Sequence, residues 1–265
     1  MIERSTVGSL LRCTQAYCQQ ICDKETLQYG IVFASPRFPL LPELNQFREV
    51  TAGSREQIVA ATEEGLDWFA ARKQPCLTFA PAMGQPTADL ELALLAHGFK
   101  PKRLAALRLT RWADLTVPAH LRVLPARAMR SAFRESILAD REIPEAWRES
   151  SADAFAERLD DAALDAFVAL MDGKPVGRCS LYQVGDLARV MDFVVPPSFH
   201  AQGVDTALLH HALVLARRLA IKHVLTQVDA QRTERLHWLQ QFGFERDGEI
   251  VEFHMTDAGV MGDVR

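Results

Sequence analysis

The chain has 265 residues, 48% apolar and 24% charged, which excludes a disordered or collagen-like protein and suits one large domain or two small ones. Thirty Lys and Arg against 34 Asp and Glu give a net charge of −4, without the basic surplus of a duplex nucleic-acid binder. Five unevenly placed Cys form no disulfide framework, no apolar run is long enough to cross a membrane, and no signal peptide precedes the expected cytoplasmic fold.

Residues 5–25 are expected as a helix, with Leu10, Leu11, Ala16, Tyr17 and Ile21 on its apolar side. A β run, Tyr29 to Ala34, leads into a loop punctuated by Pro36, Pro39 and Pro42, then a short strand, Phe47 to Val50. Ser54 and Gln57 have capping-box spacing, and Ile58, Thr62, Leu66 and Phe69 follow at helical intervals. Cys76 to Ala80 reads as a strand. Thr87 starts a helix that Gly98 ends, and Leu104 to Leu109 is the next strand. Cys13, Cys18 and Cys22 fit no zinc or cluster spacing and read as small helix residues. Trp68 and Phe69 read as core. The stretch Arg111 to His120 is the expected boundary between domains at 1–115 and 120–258.

Beyond it, a strand from Leu121 to Leu124 precedes helices over 129–140 and 145–160. Three strands, 164–170, 175–183 and 187–195, are joined by turns at Gly173 and Gly185. A helix over 204–220 has Val204, Leu208, Ala212, Leu215 and Leu219 at a 3.6 period. Strand 224–228, a helix from Thr233 to Phe242 capped by Gly243, and strand 249–255 complete the order, and a mobile tail is expected from Thr256. Arg127, Arg130, Arg134, Arg141 and Arg148 read as a solvated helical face, with contact to an anionic acceptor as the alternative. His210 and His211 read as solvated.

The halves echo each other. Gly98-Phe99 before one strand matches Gly243-Phe244 before another, each after a helix–strand–helix order. Duplication explains this, and so does convergent helix capping.

The chemistry concentrates in one stretch. An apolar strand, Val190 to Val195, is interrupted by Asp192 and runs into Pro196-Pro197-Ser198-Phe199-His200-Ala201-Gln202-Gly203, where a helix begins. Free N–H groups at a helix start bind phosphate oxygens, and glycine lets a ligand approach. About 40 residues on comes Leu236-His237-Trp238-Leu239-Gln240-Gln241-Phe242-Gly243-Phe244.

Together these segments resemble the GNAT N-acetyltransferase superfamily over about 121–256, with the first half similar to a second copy that lacks the loop motif at Val50 to Arg55. The resemblance implies an α/β fold of two GNAT-like halves, each a mixed twisted sheet flanked by helices. It implies acetyl-CoA as co-substrate, held by Phe193, Val194, Val195, His200, Ala201, Gln202, Gly203, Val204, Asp205 and Thr206. A backbone N–H near Val194 would polarise the thioester. Transfer would go to a primary amine by direct attack, without a metal, and a homodimer stays open.

Three positions depart from the family pattern. His200 replaces the usual Arg or Gln, and Asp205 replaces the second glycine. A carboxylate about 5 Å from a phosphate charge costs roughly 3 kcal/mol at an effective dielectric near 20. Leu239 stands where a Tyr acid is usual, so Tyr182 becomes the candidate proton donor, with Cys179, His237 and Trp238 as further donors. Asp192 is the candidate base. The competing reading is a non-catalytic acyl-CoA-binding or protein-interaction module on a decayed scaffold, motivated by Leu239 and Asp205.

Overall fold

The joints of the fold are set by glycine and proline, and the elements between them by apolar runs. In the computed structural model, residues 5–85, 88–113 and 117–256 are described. The chain runs through α1 (Thr6–Gln19), β1 (Asp23–Thr26), β2 (Ile31–Ala34), β3 (Gln46–Val50), α2 (Arg55–Ala71), β4 (Thr78–Pro81), α3 (Ala88–Leu95) and β5 (Phe99–Leu109). It continues through β6 (Arg122–Pro125), α4 (Arg130–Leu138), α5 (Glu145–Arg158), β7 (Leu164–Met171), β8 (Lys174–Val184) and β9 (Leu187–Val194). A 3-10 turn (Pro197–Gln202), α6 (Val204–Arg218), β10 (His223–Asp229), α7 (Thr233–Gln241) and β11 (Phe244–Met255) follow. The expected start of α3 at Thr87 and the tail beyond Thr256 lie outside the described residues.

Two compact units emerge. Among the described residues, the larger comprises 5–14, 106–228 and 232–248; the smaller comprises 15–105, 229–231 and 249–256. This differs from the expected cut at 1–115 and 120–258. The reason is length: β5 has 11 residues and β11 has 12, about twice an ordinary strand, and each contributes residues to both units. Both strands also begin five residues before the expected starts, directly after Gly98 and Gly243 at φ 84° and 88°. Their polar opening residues had concealed them. The matched starts support duplication.

In the larger unit the strand order is β11-β5-β10-β9-β8-β7-β6. The meander from β6 to β9 is antiparallel and β9–β10 is parallel, so the sheet is mixed. Asp172 and Gly173, both at positive φ, form the two-residue loop between β7 and β8. Side chains alternate along β8. The Arg178 guanidinium donates to the Ser136 carbonyl on α4, and the Cys179 thiol to the Leu208 carbonyl on α6, so the two helices cover opposite faces.

Helix α6 buries Val204, Ala207, Leu208, Leu209, Ala212, Leu213 and Ala216. The expected stripe was displaced at its end, because Leu219 is the C-cap residue and 44% exposed. His211 is half-buried rather than fully solvated: its ring meets Phe167 edge-on at 4.7 Å, and burial pushes its pKa down. The expected solvated arginine face is exposed at Arg127, Arg130 and Arg141 and half-buried at Arg134 and Arg148, and most of it is also tied to the protein. Arg127 donates to the carbonyls of Leu159, Asp161 and Leu164, Arg148 to that of Ile143, and Arg130 and Arg134 pair with carboxylates on or beside α5.

In the smaller unit the order is β1-β2-β3-β4-β11-β5. Its core is aromatic: Phe47, Phe79 and Phe99 meet edge to face at 5.4 and 5.2 Å. Ser54 caps α2, accepting from the Gln57 N–H, as the sequence suggested. Helix α1 ends at Gln19 rather than near 25, because Asp23–Thr26 pairs with β2 as a wholly exposed strand. Along α1, Leu10, Cys13, Tyr17 and Cys18 are buried, while Leu11 and Ala16 are only half-buried.

Arg48 on β3 reaches Glu252 on β11 at 2.9 Å, with both side chains at least nine-tenths buried, and His254 approaches the second carboxylate oxygen at 3.2 Å. Burial raises the Glu252 pKa, but Arg48 and His254 outweigh it and hold the carboxyl well below the usual range. Glu252→Gln is therefore expected to destabilise the protein by about 3 kcal/mol at pH 7, leaving Arg48 buried without a counter-ion. A depressed folded pKa gives stability that is full above the unfolded value of 4.5 and is lost as pH falls toward the folded one. Urea denaturation of wild type and variant should show the gap closing below that pH.

Candidate active site

The site begins with a fault in β9. Arg178 opposes Val194 and Ser180 opposes Met191, so Cys179 alone faces both Asp192 and Phe193. This is a β-bulge, and its first residue, Asp192, sits at φ 51°. Asp and Asn tolerate that conformation best after glycine.

A second irregularity lies on the other side of β9. The parallel register with β10 covers Leu187–His223, Ala188–Val224 and Arg189–Leu225, and ends there. The Thr226 hydroxyl donates to the Val190 carbonyl at 3.0 Å, beyond the last of these pairs. From Met191 onward β9 has no ladder pair with β10, so its pairing on that side ends next to the bulge.

The third feature is the start of α6. Gly203, at φ 74°, ends the 3-10 turn and begins the helix; a Cβ there would lie 2.9 Å from Pro118 Cγ. No side chain caps the first turn, so its N–H groups and dipole favour an anion. Asp205 already supplies one. Its Oδ2 lies 2.8 Å from His200 Nδ1 and 3.3 Å from an Arg235 nitrogen, while its Oδ1 is buried without a hydrogen-bond partner. The Arg235 guanidinium stacks between the rings of Phe193 and Trp238, 4.1 Å from each centroid. Burial pulls its pKa down to about 10, so it stays charged at neutral pH.

The bulge itself is anchored from behind. Arg178, 2% exposed, donates to Asp140 at 2.7 Å, to Asp192 Oδ1 at 3.2 Å and to the Ser136 carbonyl at 2.8 Å. Asp192 Oδ2 is buried and has no partner. Burial raises the Asp192 pKa, Arg178 opposes the rise, and the net direction is up.

The structure thus gathers Asp192, Phe193, His200, Gly203 and Asp205 around one bulge and one helix start. Val194 and Val195 continue the strand, Ala201 and Gln202 lie in the 3-10 turn, and Val204 and Thr206 open α6. Tyr182 is not gathered with them. It opposes Leu164 on β7 and Arg189 on β9, with Arg158 5.6 Å from its ring, and burial pushes its phenol up to about 12. Burial likewise raises the Cys179 thiol far above its usual range. Leu239 is buried, and His237 is hydrogen-bonded to Gln241.

Arg178, Asp140 and Arg235 were missed in the sequence. One Arg inside the apolar run 175–183 and the i, i+3 spacing of Arg235 and Trp238 were the available signals. Among the described residues, no group of three His, Cys, Asp or Glu is placed to hold a metal ion. A separate cavity of about 580 Å³ in the smaller unit is lined by Trp68, Arg72 and Glu25 among others. There the Trp68 indole and Arg72 both donate to Glu25, so these polar groups satisfy one another.

A bulged strand whose pairing with its parallel neighbour ends early thus lies beside an uncapped helix start. Residues 130–244 match the model of the Acetyltransferase (GNAT) family, and the chain carries a GNAT domain over that span. The fold is shared with a GCN5-related N-acetyltransferase from Kribbella flavida, at TM-score 0.66 and 16% identity over 97% of this chain and 98% of that one. It is also shared with a conserved protein of unknown function from Staphylococcus epidermidis, at TM-score 0.68 and 16% identity over 88% and 93%. No curated protein matches the sequence. No helix among the described residues is long and apolar enough to cross a membrane.

Proposed function

We propose that the chain is a cytoplasmic N-acetyltransferase that moves an acetyl group from acetyl-CoA to a primary amine by direct attack. The observation that carries this reading is the Asp192 bulge beside the point where the pairing of β9 with β10 ends at Arg189. The unpaired side of β9 beyond that point suits an extended pantetheine arm, whose amides can take the place of a strand partner. The donor supplies an activated thioester; the protein's residues supply the rest.

A lysine-like amine with a pKa near 10.4 is about 1 part in 2,500 neutral at pH 7, a handicap of about 4.6 kcal/mol. Asp192 Oδ2, buried and without a partner, takes that proton directly or through water. A backbone N–H near Val194 polarises the thioester carbonyl. A leaving thiol with a pKa near 8.5 needs little protonation help, so neither Leu239 nor the distant Tyr182 has to supply an acid. Positioning of the two substrates provides the remaining acceleration.

The second reading, an acyl-CoA-binding module without turnover, is favoured by the Asp205 carboxylate in the cradle and by the buried Leu239. Calorimetry with acetyl-CoA, a Gly203→Glu control and a thiol-release assay over an amine panel separate the two. Binding lost in the variant together with amine-dependent release supports transfer. Binding without release over the whole panel supports the module. Absence of binding at millimolar acetyl-CoA removes both.

A further inference from the structure

We propose that Asp205 makes this site indifferent to the diphosphate of its donor, so that an acyl-pantetheine thioester lacking the diphosphate binds about as well as acetyl-CoA. The inference rests on the acyl-transfer reading above and names the part of the donor that is recognised.

An uncapped helix start attracts a phosphate because its N–H groups are free and its dipole is positive. At α6 that attraction is already met from within the protein. The Asp205 carboxylate occupies the first turn, its side chain nine-tenths buried. It is fixed from two sides, by His200 at 2.8 Å and by Arg235 at 3.3 Å. Its Oδ1 is buried without a partner, an acceptor that offers a phosphate oxygen nothing but repulsion. Arg235, the cation nearest to hand, is committed to Asp205 and held between Phe193 and Trp238. An incoming diphosphate therefore meets a fixed negative charge, a guanidinium already engaged and an imidazole already hydrogen-bonded.

The other end of the donor meets no such obstacle. The stretch of β9 from Met191 to Val194 lies beyond the last ladder pair with β10, Arg189–Leu225. Contacts along it are amide to amide and do not depend on the charge at α6. Recognition thus moves from the phosphates to the pantetheine arm and its acyl group.

The test is calorimetry of the full chain with acetyl-CoA and with S-acetyl-pantetheine. Wild type is expected to bind the two within about tenfold of each other. Asp205→Asn keeps the shape and removes the charge, and should shift the affinity ratio toward acetyl-CoA by about 100-fold, the effect of one carboxylate near a phosphate. Asp205→Gly should shift it in the same direction. A wild-type preference for acetyl-CoA above about 100-fold, or an unchanged ratio in both variants, overturns the proposal while leaving acyl transfer in place. If a variant fails to fold, the wild-type ratio decides alone. If neither thioester binds any form, the acyl-transfer reading falls and takes the proposal with it.

Discussion

Asp192→Asn is expected to lower amine-dependent turnover by about 10²–10⁴-fold while donor binding persists. The substitution is nearly isosteric, and Asn is at home at φ 51°, so the bulge keeps its shape. What disappears is the lone-pair acceptor at Oδ2, which no protein group occupies. The pH profile adds a check. Burial raises the Asp192 pKa and Arg178 only partly restrains it, so the carboxylate is a stronger base than an exposed one. The wild-type rate should climb as pH rises through that raised value, since only the ionised form accepts a proton. The variant should lose this limb. Stopped-time thiol release across the acid to neutral range measures both effects, and an unchanged rate with an unchanged limb would remove Asp192 from the base role.

Arg178→Met should destabilise the protein by about 3–5 kcal/mol. The guanidinium lies between Asp140 and Asp192 and also holds the Ser136 carbonyl, so its loss strands two carboxylates and a carbonyl in the interior. Burial alone would pull the Arg178 pKa down; the two carboxylates reverse that and raise it. The sign of the pH effect follows. In wild type the Asp192 pKa already lies above its unfolded value of 3.8, so its neutral form contributes stability that is full below that value and lost as pH rises through the folded one. Without Arg178 the folded pKa moves higher still, and acidification toward pH 5 should recover part of the loss. Urea denaturation at pH 7 and pH 5 provides the comparison; equal losses at both would mean that the carboxylates do not depend on this cation.

The elements that were legible in the sequence were those with strong local signals. The meander β7–β9 declared itself through apolar runs broken by Gly173 and Gly185, and Gly203 marked the start of α6. Strand β1 did not, because Asp-Lys-Glu-Thr is exposed throughout and is a strand only through its pairing with β2. The opening residues of β5 and β11 were hidden for a similar reason. At the site, Asp192, His200 and Asp205 stood out as departures within one short stretch. Their partners did not, because Asp140 is 38 residues from Arg178 and Arg235 is 30 from Asp205. Charges that meet only after folding leave no periodicity to read.

The division of β5 and β11 also bears on how the protein is made. The ribosome releases β4 and β5 long before β11, yet β11 is the strand that lies between them. Until residues 249–255 emerge, the facing edges of those two strands have no neighbour. A nascent chain of the first hundred-odd residues is therefore a sheet with its middle strand missing, and it must be shielded or wait. Folding of the smaller unit is completed only once β11 has emerged, and an N-terminal half expressed alone lacks the strand that joins it.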